Sequence, residues 1–250
     1  MTDVILDALN SNQLNENNMS FPSIRNIAGR DYDIWGELGR GRSVLSSERQ
    51  LDQYLYSYGP MIQSQWNTVL HGISFPKGEV QLNDYACGQG LASILLHDAY
   101  SSSDLSKITK INLIEPSSVA LNRAKALLEC CYPNANINVV NKYLDDVEKC
   151  EIELSDTAVK IHLFSNILDI DGFNQFDLLN KAFSISGQHL LLAVSHDREH
   201  NGGSGRLRET YEALLDDKYK EWYTVLDKGI AQFDCQNGQP AIAFYINLEI

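Results

Sequence analysis

Between an apolar stretch and a helical one lies Asp84-Tyr85-Ala86-Cys87-Gly88-Gln89-Gly90, the segment whose residue types and spacing best suit ligand chemistry. Gly88 and Gly90 open backbone angles closed to other residues, and they let a ligand meet the main chain without a Cβ in the way. A helix starting near Leu91 directs its unpaired N–H groups at the same spot. A strand-to-helix turn with no ligand is the competing reading. A dinucleotide fingerprint would need G-x-G-x-x-G early in the chain. Here Gly88 and Gly90 are followed by Ser93, a third of the way along.

Other candidates follow at the ends of later apolar runs. Glu115 closes the run from Lys110 to Ile114, where a carboxylate can accept two hydrogen bonds from a vicinal diol such as ribose. Its separation from Asp84 is 31 residues (115 − 84), against a usual spacing of about 20. The polar residues 101–107 account for the excess as a loop. Glu115 also suits a helix N-terminus beside Pro116-Ser117-Ser118, and the two roles are compatible. Asp145, with Asp146 behind it, follows the third run and could equally cap a helix. Phe164-Ser165-Asn166-Ile167-Leu168-Asp169 ends the fourth. Asn166 there could orient an acceptor, and Asp169 could serve as a base or a cap. His196-Asp197-Arg198-Glu199-His200 follows the fifth. Its spacing is not that of a helical metal pair, and a solvated loop is the plainer reading. Its place at the sheet edge keeps His196 as a candidate substrate contact.

These positions require a frame of alternating strands and helices. Residues 80–86, 110–114, 137–140, 159–164 and 189–194 read as strands, and residues 91–99, 117–131, 173–185 and 207–215 as helices. In the 117–131 helix, Ala120, Leu121, Ala124, Leu127, Leu128 and Cys131 recur at helical spacing. Asn237-Gly238 marks a hairpin turn, and Ile242, Phe244, Ile246, Leu248 and Ile250 alternate along a closing strand. Such a pattern predicts an α/β, doubly wound, mostly parallel sheet ending in an antiparallel hairpin. Ahead of it, residues 46–73 read as two helices broken at Pro60, one with Leu51, Tyr54, Leu55 and Tyr58 on a face. The Asn-rich first twenty residues read as a mobile arm after one short helical turn at residues 4–9. Residues 1–78 thus form an arm and helical lid, and 79–250 the ligand-binding domain. Arg40-Gly41-Arg42 and the tyrosines of 54–58 belong to the lid.

The segment from Asp84 resembles the first motif of class I S-adenosylmethionine-dependent methyltransferases, an acidic residue followed by G-x-G-x-G. Only the first glycine is replaced, by Ala86. The resemblance spans roughly residues 80–250. It implies a seven-stranded sheet ordered 3-2-1-4-5-7-6 with the last strand antiparallel. It also implies S-adenosylmethionine as cofactor, held by Asp84, Tyr85, Ala86, Cys87, Gly88 and Gly90, with Glu115 on the ribose and Asp145 on the adenine. Asn166, Asp169 and His196 would then face the methyl-transfer region. The fourth motif departs from the Asn-Pro-Pro-Tyr box of amino-methylating nucleic-acid enzymes. The activity implied is methyl transfer to a small-molecule or protein acceptor. A catalytically silent S-adenosylmethionine-binding module is the alternative, and a nicotinamide-dependent oxidoreductase is disfavoured by Ser93.

Composition sets the outer bounds. The 250 residues carry 33 acidic and 20 basic side chains, a net charge of −13, which gives no general field for a phosphate backbone. Nucleic acid is therefore disfavoured as a partner. The five cysteines form no Cys-x-x-Cys pair and suggest neither a disulfide framework nor structural zinc. Residues 1–10 lack the features of a secretory signal, and no apolar run reaches the roughly 18 residues of a membrane span. The sequence is read as cytoplasmic.

Overall fold

The computed structural model describes residues 3–198, 203–216 and 221–250. Ahead of the sheet, α1 (Val4–Asn10), α2 (Phe21–Ile27), 3-10 turns over Tyr32–Gly41 and the long α3 (Glu48–His71) form a helical layer. The alternating part runs β1 (Val80–Tyr85), α4 (Leu91–Ala99), the single turn α5 (Ser102–Leu105), β2 (Ile108–Ile114), α6 (Ser118–Cys131) and β3 (Asn136–Val140). It continues through α7 (Lys149–Ile152), β4 (Val159–Ser165), α8 (Gln175–Ala182), β5 (Gln188–His196) and α9 (Gly203–Ala213). The hairpin of β6 (Thr224–Asp234) and β7 (Pro240–Glu249) closes the chain.

The strands form one sheet in the order β3-β2-β1-β4-β5-β7-β6. Strands β1 to β5 pair in parallel, and β7 runs antiparallel to both β5 and β6. This is the doubly wound sheet with an antiparallel C-terminal strand that the resemblance implied. Successive side chains of a strand point to opposite faces. Leu190, Leu192 and Val194 of β5 accordingly enter one core cluster, and Leu191 and Ala193 the other. That is why β5 reads as a continuous apolar run.

Polar side chains fix the register inside this apolar sheet. Asn138, Asn112 and Asn83 face one another across β3, β2 and β1, and each Nδ2 donates to the next strand. Asn83 in turn donates to the Ile161 carbonyl of β4. A second network has a single possible proton order. The Ile185 carbonyl can only accept, so His189 Nε2 carries hydrogen at 2.8 Å from it. His189 Nδ1 then accepts from His162 Nε2 at 3.0 Å, and His162 Nδ1 accepts from the Tyr85 hydroxyl at 3.0 Å. Burial drives both imidazoles down, His162 well below the ordinary range and His189 to about 4.

Two expectations for the N-terminal region are corrected. Helix α3 is continuous through Pro60, although proline removes one helical donor. Its buried face, with Leu51, Leu55, Ile62, Trp66 and Leu70, holds both halves on one axis, and packing overrides propensity. Residues 3–21 are packed rather than an arm. Asp3 caps α1, and Ile5, Ala8, Leu14, Met19 and Phe21 are buried. The asparagines between them close turns: Asn15 N–H donates to Asn18 Oδ1, and Asn18 Nδ2 to the Gln13 carbonyl.

Candidate ligand-binding and active site

Strand β1 ends at Tyr85, and the chain then turns through Ala86, Gly88 and Gly90, all left-handed, at φ of 53°, 54° and 79°. Gly90 caps α4 without a side-chain bond, and the first N–H groups of the helix point back at the turn, that of Ser93 toward the buried Asp84 carboxyl. A Cβ on Gly88 would meet nothing within 4 Å. A Cβ on Gly90 would press on the Ala124 Cβ at 3.3 Å, so this glycine permits close packing of α4 on α6. Gln89 anchors the turn from behind, donating to the Leu51 carbonyl of α3 and accepting from Arg123 of α6.

The turn forms one wall of a cavity of about 300 Å³ at the carboxyl edge of β1, β2 and β4, the lower end of the usual ligand-site range. Ala86, Cys87, Gly88, Glu115, Asp145 and Asn166 all line it. Glu115 ties two elements together, one oxygen accepting from Gly88 N–H at 3.0 Å and the other from Ser117 N–H at 2.9 Å. The acid thus serves the turn and the start of α6 at once. Burial pushes its carboxyl, and the Cys87 thiol, above their ordinary ranges. Each carboxylate oxygen retains a second acceptor direction. Asp145 is exposed on the opposite wall and accepts from Asn174 N–H at 2.9 Å.

Three residues named from the motif stand behind this lining. Asp84 is fully buried beneath the turn, where it accepts from the Ser93 hydroxyl at 2.7 Å. Burial raises its carboxyl to about 7. Tyr85 points into the sheet, stacked on Phe164 and donating to His162. Gly90 contributes packing, as described above. The first acid therefore holds α4 to β1 and does not face the cavity. Alternation sends Asp84 and Tyr85 to opposite faces of the sheet, and neither turns toward the cavity at its edge.

Asn166, at φ 54°, ends β4 and exchanges two hydrogen bonds with Gln65 of α3, at 2.8 and 3.1 Å. Beside it, Trp66 Nε1 donates to the Ser165 hydroxyl at 3.0 Å. Asp169 is almost fully buried and paired through one oxygen with Arg198 at 2.9 Å. Asn166, Asp169 and His196 are brought together around a second, narrow chamber that opens off the first. Burial, reinforced by Arg198, lowers the His196 imidazole. Glu199 and His200 lie outside the described residues. Among the described residues no group of three His, Cys, Asp or Glu side chains could hold a metal ion, and no helix is long and apolar enough to cross a membrane.

Gln65, Gln89 and Arg123 were not singled out in the sequence. Arg123 alone left a signal there. It sits between Ala120 and Leu127 on the apolar stripe of α6, where an unpartnered charge would be costly.

No family model matches this chain, and no curated protein does. Solved structures similar to it include TYW2 of M. jannaschii in complex with AdoMet, 18% identical over 78% of each chain, with a TM-score of 0.47. The plantazolicin methyltransferase BamL, solved with a triazolic desmethylPZN analog and SAH, is 15% identical over 80% of this chain and 88% of that one, at 0.49. A SAM-dependent methyltransferase from Aquifex aeolicus is 12% identical over 77% and 93%, at 0.48. The fold rests on the strand order itself and not on these likenesses.

Proposed function

We propose that this chain binds S-adenosylmethionine in the 300 Å³ cavity and transfers its methyl group to a small-molecule or protein acceptor. The observation that carries the reading is the glycine turn, open at Gly88 and tied to Glu115 at the start of α4. That arrangement leaves backbone donors and a carboxylate converging on one ligand volume. Glu115 would accept from the ribose hydroxyls and Asp145 from the adenine amino group. S-adenosylmethionine supplies a sulfonium methyl: an acceptor lone pair forms the new bond to carbon while the carbon–sulfur bond breaks and its electron pair stays on sulfur. The chain's own contribution is chiefly placement, since the leaving thioether needs no proton. The amide pair of Gln65 and Asn166 fixes the wall against which an acceptor would be set. Neither Asn166 nor the arginine-paired Asp169 is free to act as a strong base, which suits an acceptor that arrives already nucleophilic.

Calorimetric titration with S-adenosylmethionine, S-adenosylhomocysteine and NAD tests this. Both sulfur ligands should bind and NAD should not. Gly88→Val should abolish binding with the far-UV spectrum unchanged, and Gly88→Ala should weaken it. Absence of binding by both sulfur ligands at millimolar concentration would overturn the reading.

A further inference from the structure

The segment between β4 and α8 makes one wall of the main cavity, with Ile170, Gly172 and Phe173 in its lining. Its own backbone does little to hold it. Among the described residues, residues 171–173 take part in no backbone–backbone hydrogen bond. The segment is fastened instead by a side chain of α9, 31 to 36 positions later in the chain. Arg206 Nη1 donates to the Ile170 carbonyl, and Nη2 donates to the Phe173 carbonyl at 2.7 Å and to Gln175 Oε1. The guanidinium also lies over the Phe173 ring, 5.1 Å from its centroid.

The helix that carries Arg206 is a firm base. Leu207 and Thr210 are fully buried, and α9 packs on β5 and β7. One turn beyond Arg206, Glu209 accepts from Gln175 Nε2 at 3.2 Å and holds the start of α8 as well. A planar guanidinium fork can serve two carbonyls and an amide oxygen together, which a point-like ammonium does less well. This anchorage reaches the cavity's opposite acid through the next residue. Asn174 N–H donates to Asp145 Oδ1 at 2.9 Å, leaving Oδ2 to face a ligand. Asp145 is exposed, so that one bond is what aims its carboxylate.

We propose that Arg206 sets the base specificity of the site: by fastening residues 170–175 it holds Asn174 against Asp145, and so fixes the carboxylate that accepts from the adenine amino group. Arg206 lies outside the cavity lining and acts through other groups, as a positioning residue. Without it, the segment must be ordered each time a ligand binds, and that conformational cost weakens the base contact. The inference rests on the donor reading above, with Asp145 on the adenine.

The test compares S-adenosylhomocysteine with S-inosylhomocysteine, in which an oxygen replaces the amino group of the base. Wild type should bind the adenine form about tenfold more tightly or better, as a hydrogen bond to a charged group is worth. Arg206→Met should bring that ratio close to one, and Arg206→Lys should restore part of it. Asp145→Ala should lose the same ratio, and the double variant should lose no more than either single one. Affinities are read well below each variant's unfolding midpoint. A merely structural Arg206 would then lower the midpoint and leave the ratio untouched. Where Arg206→Met does not fold, Arg206→Lys decides, a reduced ratio supporting the inference and a wild-type ratio overturning it. An unchanged ratio in folded Arg206 variants, or a wild type that binds both ligands alike, overturns the inference and leaves the donor reading standing. If wild type binds neither ligand, the donor reading falls and the inference falls with it.

Discussion

Ala86 occupies the position where the motif has glycine, yet its backbone is still left-handed, at φ 53°. An L-residue there costs about 1–2 kcal/mol, part of which glycine would give back as unfolded-chain entropy. Ala86→Gly should therefore raise stability by about 0.5–1 kcal/mol, seen as a higher urea midpoint with an unchanged m-value. A lower midpoint would mean that the alanine methyl packs better than its backbone suffers. The turn was legible in the sequence because left-handed backbone and close helix packing demand particular residue types. The side-chain partners were not. Gln65 meets Asn166 across 101 positions, and Gln89 meets Leu51 across 38. No local pattern encodes such pairs. Motif membership also misled about Asp84 and Tyr85, because a motif gives position along the chain and not the face to which a side chain turns.

At the scale of elements, β4 and β5 are joined by the His162–His189 pair as well as by their ladder. His189 titrates near 4 in the folded protein and near 6.5 when unfolded, so its folded form is the one that resists protonation. The stability it confers is complete above pH 6.5 and is lost as pH falls from there to about 4. The loss is on the order of 3 kcal/mol. Asp84, raised to about 7, slopes the other way and is present in any variant of the histidine. Comparison with His189→Gln isolates the pair: the advantage of wild type over the variant should shrink steadily across pH 6.5 to 4. A constant difference would show that His189 titrates alike in the folded and the unfolded chain. Element types and order were readable from periodicity. The exceptions were α3, where packing carried the helix through Pro60, and the first twenty residues, where turn-closing asparagines resembled a solvated arm.

Across the whole molecule, Arg123 is the residue on which separate regions meet. It is fully buried and bonds Asp3 at the start of α1 at 2.8 Å, Asp52 of α3 at 2.7 Å, and Gln89 of the glycine turn. Burial raises the Asp52 carboxyl, and Arg123 pulls it back down. Removing the cation leaves two buried carboxylates uncompensated, so Arg123→Leu should cost about 3–5 kcal/mol in denaturant unfolding. Adding Asp3→Leu and Asp52→Leu should recover much of it. A loss under about 1 kcal/mol for Arg123→Leu alone would show that water replaces the pair. The bonds from α3 to β4, through Gln65 with Asn166 and Trp66 with Ser165, bear on the timing of ligand exchange. A wall fastened at those points, and again at Gln89, does not swing open as a unit. Residues 39–45 are held by the buried Leu45 side chain, which packs with Leu38 and Leu51, and by bonds from Ser117 to the Leu45 carbonyl and from Arg42 to the Asp169 carbonyl. Exchange of a bound molecule is therefore expected to need only local opening of residues 41–45, which line the cavity, with α3 left in place.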